Sequence, residues 1–373
     1  MGPFLETLIG GLLTGVLYSL VALGFVLIFK ASGVFNFAQG AMVLFAALTV
    51  ARLADKIDDR EVYIWHFVVV AAIFGATVGA IVWYAAREYL ARGAGAGESR
   101  KLLMLALVGA VIGAVVAFIH GKGSWPLWLA ITATASVMGV LAYAIEWLVL
   151  RRLVNQEGII LFMATLGIAY FLDGFGQTVW GSNIYSIPLG MPKEPILLLP
   201  DVFDGGLRVE PGDLVAGVIA AALVIVLAIF FQKTRIGRAL RAVADDHAAA
   251  QSVGIPLNNI WLVVWTVSGL VALVAGMIWG GKLGVQFSIS LIALKALPVL
   301  ILGGFTSVPG AIIGGLIIGA GEKLSEVMLG PILVKAFDLA GGGIENWFAY
   351  MLALVFLLFR PQGLFGERII ERV

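Results

Sequence analysis

Apolar residues fill this chain in blocks of similar length separated by short polar intervals, instead of forming stripes along otherwise polar segments. A block that is apolar on every side needs an apolar surround, and roughly 20 such residues in a helix match the ~30 Å hydrocarbon core of a bilayer. Blocks fall near 4–29, 36–51, 62–86, 102–119, 125–150, 158–181, 212–231, 260–280, 289–305, 308–329 and 344–359, which predicts eleven crossings. Those at 36–51 and 289–305 are short enough to be tilted, broken or re-entrant, so the expected count is nine to eleven. The fold class is all-α, a polytopic integral membrane protein with one transmembrane domain over residues 1–373. Glu6 is the only charge before Lys30, and no basic leader or cleavage pattern precedes the first block, which reads as a retained span.

The polar intervals set the orientation. If the spans alternate, Lys30, Arg87–Lys101, Arg151–Arg152, Lys233–Arg241 and Arg360–Arg372 share one side. That side holds the larger share of lysine and arginine, so the positive-inside bias predicts an N-terminus outside and a C-terminus inside. The outside interval 182–211 carries five prolines and predicts an irregular cap able to meet an external protein, or a passive connection. The run GAGAGES at 93–99 reads as a flexible linker.

Composition agrees with the pattern. The 373 residues are 61% hydrophobic and 13% charged, with a mean hydropathy of +1.03, far from the quarter of charged residues usual in soluble domains. A net charge of +1 suggests no nucleic-acid partner. The absence of cysteine excludes disulfides and thiolate chemistry, and His66, His120 and His247 are too scattered to suggest a metal site.

Within this apolar chain, Lys233 to Asn259 is the longest polar interval with helix-forming character. Arg235, Arg238 and Arg241 recur at helical spacing. Asp245 is placed to cap a second short helix through Asp246, Ala249 and Ala250, which Gly254 and Pro256 stop. The expectation is a helical hairpin outside the bilayer, serving either as an ordinary basic loop or as a docking element for a soluble partner.

Ionisable groups inside spans are costly and mark function. Asp173 lies in the block 158–181, with Tyr170 and Gln177 on its helical face. Lys295 lies in the block 289–305, where it can neutralise a carboxylate such as Asp173, while Glu322, Lys323 and Glu326 fall near the outer interface. An ion-coupled secondary transporter or channel built on Asp173 and Lys295 is therefore an alternative function. Asn36 and Gln39 open the second span, either as helix caps or as a polar turn that leaves backbone amides free for a substrate. Gly310, Gly314, Gly315 and Gly319 allow close helix packing, as does the pair Gly11 and Gly15. Gly276–Lys282 mimics a phosphate-binding loop, but Leu283 follows where a hydroxyl is needed, so the chain shows no ATP site of its own. No carboxylate pair, nucleophile set or metal spacing supports an enzyme.

Three stretches taken together resemble the permease family of ABC importers for branched-chain amino acids, in particular its first-type subunit, a family that also includes urea and amide permeases. They are LLTGVLYSLVALGFVLIFKASGVFNFAQGAMVLFAA at 12–47, GRALRAVADDHAAAQSVGIPLNNI at 237–260 and LKALPVLILGGFTSVPGAIIGGLIIGAGE at 294–322, with LLFRPQGLFG at 357–366 closing the chain. The resemblance implies that 232–259 is a cytoplasmic coupling loop, with Gly237, Arg238, Arg241, Asp245, Asp246, Ala249 and Gly254 in the element that meets an ATPase. It implies two ABC ATPase subunits that hold ATP and magnesium, a paralogous second permease or a second copy, a periplasmic substrate-binding protein, and a bacterial inner membrane location. The expected activity is import of branched-chain or hydrophobic amino acids, with urea, amides or aromatic carboxylates as alternative substrates. Asn36, Gln39, Tyr170, Asp173, Gln177 and Lys295 are the expected pathway residues. Three features depart from the family: 55–123 reads as an extra two-helix insertion, Gln39 stands where the family's second-span motif usually carries a histidine, and Asp173 stands where an uncharged polar residue is expected.

Overall fold

The computed structural model describes residues 2–54, 72–77, 111, 125–153, 156–190, 194–200, 203, 206–245, 247–338 and 343–366. Most of the expected insertion at 55–123, and with it the spans at 62–86 and 102–119, lies outside the described residues.

The architecture is helical, in the order α1 (Gly2–Ser32), α2 (Gln39–Ala54), α3 (Leu127–Leu148), α4 (Gly158–Trp180), α5 (Pro211–Lys233), α6 (Arg235–Asp245), α7 (His247–Ser252), α8 (Leu257–Leu283), α9 (Ile292–Gly303), α10 (Val308–Leu324), α11 (Gly330–Phe337) and α12 (Ile344–Phe359). Among the described residues, five helical segments are long and apolar enough to cross a bilayer, and α2 and α12 are shorter apolar helices. The chain is a polytopic membrane protein.

Helix α1 is the central post: 78% of its most apolar window is buried, against 22% for α4, which lies at the periphery. It packs on α10 through glycine. A Cβ at Gly11 would lie 2.8 Å from the Ala320 backbone, one at Gly319 would collide with the backbone of Gly15, and one at Gly315 would collide with Ser19. The opposite face of α10 is equally bare, because Cβ atoms at Gly310 and Gly314 would run into the Gly303 and Val299 carbonyls of α9. Gly310 and Gly314 therefore serve one contact and Gly315 and Gly319 another, and α10 is held between two backbones at small-residue distance.

The expectation of separate spans at 289–305 and 308–329 needs correction. Phe287–Gly303 and Val308–Phe337 form one pair bent by 114°. Gly304, at φ +104, turns the chain, and Ser307 caps the new helix by accepting from Gly310 N at 3.1 Å. With 12 residues, α9 is only about 18 Å long, too short to cross alone. Pro298 within it removes the amide that would serve the Leu294 carbonyl, and the Tyr350 hydroxyl of α12 donates to that carbonyl at 2.7 Å instead. Further along, Ser325–Leu329 forms a wider π turn just before Pro331, where no amide is available for a regular turn.

The proline-rich interval 182–211 is not wholly irregular. Ile196–Leu198 pairs antiparallel with Leu207–Val209, and Tyr185 bridges to Val285 beyond α8. Both strands are three residues long, because the surrounding prolines deny longer ladders their amide donors.

Candidate functional site

The centre of the bundle is built around a break. Helix α1 ends at Ser32, Gly33 turns at φ +68, and residues 34–38 run unwound before α2 begins at Gln39. Unwound backbone at this depth needs partners. Asn36 and Gln39 are both 0% exposed and satisfy each other and the turn. Asn36 Oδ1 accepts from Ala38 N at 3.0 Å, and Asn36 Nδ2 donates to Gln39 Oε1 at 3.3 Å. Two residues the sequence did not single out complete the set. Ser268 of α8 donates to Gln39 Oε1 at 2.7 Å, and Thr165 of α4 accepts from Phe37 N at 3.3 Å and donates toward the Phe35 carbonyl at 3.2 Å. Gly24 leaves room for this, since a Cβ there would collide with the Gln39 amide. Asn36 caps the turn through the Ala38 amide, and Gln39 ties the break to α8 through Ser268.

Beside the break lies a cavity of about 250 Å³. Phe35 and Phe37 of the unwound segment, Leu166 and Ala169 of α4, and Leu294 and Leu297 of α9 line it. Asp173 and Tyr170 also face it, whereas Gln177, on the same helix, is exposed and is not part of the lining. Asp173 Oδ1 is sealed from solvent and has no hydrogen-bond partner among the described residues.

The expected pairing of Asp173 with Lys295 is not formed. Lys295 Nζ lies 3.9 Å from Glu345 Oε1, and Lys323 approaches the other oxygen of Glu345 at 2.9 Å. These residues line a different cavity, of about 800 Å³, together with Glu6, Asp213 and Lys282. The amphipathic stem of Lys295 lets its ammonium leave the α9 packing surface and join this charged end. Glu322, expected near an interface, is instead 1% exposed, where it accepts from the Tyr18 hydroxyl at 2.8 Å. The reason is the glycine contact of α1 with α10, which brings Tyr18 and Glu322 face to face.

At the other end stands the polar hairpin. Thr234 joins α5 to α6, donating to the Phe230 carbonyl at 2.6 Å and accepting from Gly237 N at 3.0 Å. Arg238 donates to the Lys233 carbonyl at 3.3 Å, and Arg241 donates to the Phe231 carbonyl. These arginines cap the carbonyls that the last turn of α5 leaves unpaired. Gly237 is buried against that turn, and a Cβ there would collide with the backbone of Phe231. Asp245 does not precede the second helix as a cap; it is the exposed last residue of α6, because the first helix runs four residues past Arg241. Asp246 lies outside the described residues. Helix α7 ends at Ser252 and is closed by Gly254, at φ +84, with Ile255 N donating to the Ala250 carbonyl at 3.0 Å. Ala249, Gly254 and Val253, the last 75% exposed, form the outer surface of this tip.

A cavity of about 190 Å³ separates Gly237, Leu240 and Arg241 of α6 from Lys30 at the end of α1 and from the elbow residues Thr306 and Ser307. The tail closes the same region: Leu364 and Phe365 donate their amides to the Leu302 and Gly303 carbonyls at 2.8 and 3.1 Å. The polar hairpin, the end of α1, the α9–α10 elbow and the C-terminal tail thus meet at one end of the bundle. The mimic of a phosphate loop, Gly276–Lys282, lies inside α8, where its amides are spent in helical hydrogen bonds and Lys282 pairs with Asp213. It cannot cradle a phosphate.

The break and the hairpin tip follow from the residues that the sequence marks, whereas Ser268, Thr165, Thr234 and Tyr18 carry no local signal beyond being hydroxyl side chains in or beside apolar helices. Comparison with known proteins then adds the family. The family model described as branched-chain amino acid transport system / permease component matches residues 7–94 and 103–360. The chain is 26% identical to the high-affinity branched-chain amino acid transport system permease protein BraD of Pseudomonas aeruginosa, over 99% of this chain and 98% of that protein. It is 23% identical to the corresponding protein LivH of Escherichia coli K12, over the same shares of each. A fructose import permease protein, FruG of Bifidobacterium longum, is 23% identical over 48% of this chain and 56% of its own length. No solved structure matches the chain. A family match over most of the chain, on a polytopic helical bundle with an exposed polar hairpin, makes this a transport component and not an enzyme, and the chain belongs to the branched-chain amino acid transport system permease family.

Proposed function

We propose that this chain is the first-type permease subunit of an ABC importer in a bacterial inner membrane, oriented N-outside and C-inside. It moves branched-chain or other hydrophobic amino acids, or related small metabolites, into the cytoplasm by alternating access. Two separate ATPase subunits supply the energy from ATP and magnesium, a periplasmic binding protein delivers the solute, and a paralogous permease or a second copy completes the pathway.

The observation that carries the reading is the construction of the hairpin. An element that transmits force must be stiff at its root and open at its tip. Thr234, Arg238 and Arg241 fasten α6 to the last turn of α5, while the tip around Ala249 to Gly254 is exposed. The root packs against α1 and faces the elbow of the bent pair across a small cavity, so the hairpin and the elbow share one end of the bundle.

The test is uptake in proteoliposomes that contain the chain, its ATPases, the second permease and the binding protein. Arg238→Ala with Arg241→Ala, and separately Asp245→Ala, should abolish most ATP-driven uptake while the binding protein keeps its solute affinity. Undiminished uptake in these variants would remove the coupling assignment.

A further inference from the structure

The small cavity beside the break has a chemical character that the family assignment does not supply. Its walls are apolar and aromatic: Phe25 and Phe35 stack at 4.7 Å, and Phe35 meets Phe37 edge-on at 4.8 Å. Among the described residues, the lining holds one carboxylate, Asp173, with hydroxyls from Tyr170 and Ser290, and no lysine or arginine. Asp173 is partly buried, and its Oδ1 is enclosed without a hydrogen-bond partner among the described residues, which leaves a polar group for a ligand or water to satisfy. The basic residue that the sequence offered as its counter-charge, Lys295, is committed to Glu345. Metal binding is a poor match, since a hard cation needs several oxygen ligands, and no group of three metal-binding side chains occurs among the described residues. A compact organic cation suits the site: one carboxylate neutralises it, and aromatic faces accept both its charge and its hydrocarbon.

We propose that Asp173 makes this cavity a binding site for small solutes that join an ammonium group to an apolar body, and that it excludes isosteric carboxylates and neutral amides. The proposal rests on the permease reading, within which it selects among the substrate classes left open. An isosteric carboxylate would meet Asp173 with like charge and find no basic group in the lining. A neutral amide would leave the carboxylate without charge compensation.

The test is equilibrium binding by calorimetry to the purified full chain in detergent, without ATP or partner subunits. The probes are isopentylamine, leucine, isocaproate and isocaproamide, which share one branched body and differ at the polar head. Isopentylamine should bind, leucine should bind more weakly because its own carboxylate finds no basic partner in the lining, and isocaproate and isocaproamide should not bind at the same concentrations. Asp173→Asn should weaken the two ammonium probes about tenfold or more, the size expected for losing a charge-assisted hydrogen bond, and Asp173→Glu should restore most of that loss. Ala169→Trp fills the cavity without touching the charge and should abolish binding of all probes, with a thermal melt showing that each variant stays folded. Equal binding of isocaproate or isocaproamide by the native chain, unchanged affinity in Asp173→Asn, or no binding of isopentylamine would overturn the assignment. Its failure is separable from failure of the permease reading, because ATP-driven uptake would persist if only the cavity assignment were wrong. Loss of the uptake result with ammonium binding intact would leave the cavity in place without the coupling.

Discussion

Replacing Gly237 by alanine tests the idea that the polar hairpin is a stiff lever. The added Cβ would meet the carbonyl oxygen, carbonyl carbon and Cα of Phe231, all main-chain atoms that no rotamer change can clear. Relief requires either α6 to move away from α5 or the last turn of α5 to open. Both routes strain the Gly237 N to Thr234 Oγ1 bond at 3.0 Å and the bond from Arg241 to the Phe231 carbonyl. Overpacking of this kind costs about 1–3 kcal/mol. Because the contact is confined to the hinge, that cost falls on local opening and leaves the bundle intact. Amide exchange over 234–245 should therefore speed up by roughly ten- to a hundredfold, with helices α1 and α10 unchanged. ATP-driven uptake should fall in parallel, while ammonium-probe binding in the cavity beside the break persists. Gly254→Ala is the contrasting control: nothing lies within 4 Å of the added Cβ, but φ is +84. Its cost of about 1–2 kcal/mol is conformational, so Gly254→Asn should recover much of it, whereas Gly237→Asn should be worse than Gly237→Ala. Native exchange rates and native uptake in Gly237→Ala would refute the lever.

Two further outcomes follow from hydrogen bonds inside the bundle. Tyr350→Phe strips the Leu294 carbonyl of the partner that replaces the amide missing at Pro298, which should destabilise the chain by about 1–3 kcal/mol in detergent melts. Adding Pro298→Ala should restore part of the loss by returning a helical donor, and a double variant no more stable than Tyr350→Phe would show that the carbonyl was not orphaned. Ser268→Ala and Gln39→Leu remove the two ends of one 2.7 Å bond, so their effects on stability should fall short of additive by about 1 kcal/mol, and strict additivity would deny the network.

Much of this protein was legible from chemistry that acts locally. Apolar blocks of bilayer length marked the long helices among the described residues, because a backbone in hydrocarbon must satisfy its own hydrogen bonds. The arginines at helical spacing and Gly254 marked the hairpin, since caps and left-handed turns are read within a few residues. The four glycines of α10 marked a packing helix. The residues quoted at 12–47, 237–260 and 294–322 pointed to the family that the comparison with known proteins then gave.

Pairings between distant residues were decided by the tertiary structure. Lys295 and Asp173 lie in separate apolar blocks of like character, yet the bend at Gly304 and the charged end built by α12 send the lysine to Glu345. Glu322 looked interfacial because it follows an apolar run, but the glycine contact with α1 buries it under Tyr18. Two spans became one bent pair because a glycine at φ +104 costs nothing in sequence and turns the chain. The sequence alone determined which described segments form long apolar helices and which stretch forms a polar hairpin, for those depend on transfer free energy and local geometry. Only the tertiary structure decided which polar groups meet inside: Ser268 with Gln39, Thr165 with the break, and Asp173 beside the aromatic wall of a cavity. Hydrogen bonding between helices depends on their relative rotation and depth, which no residue encodes by itself.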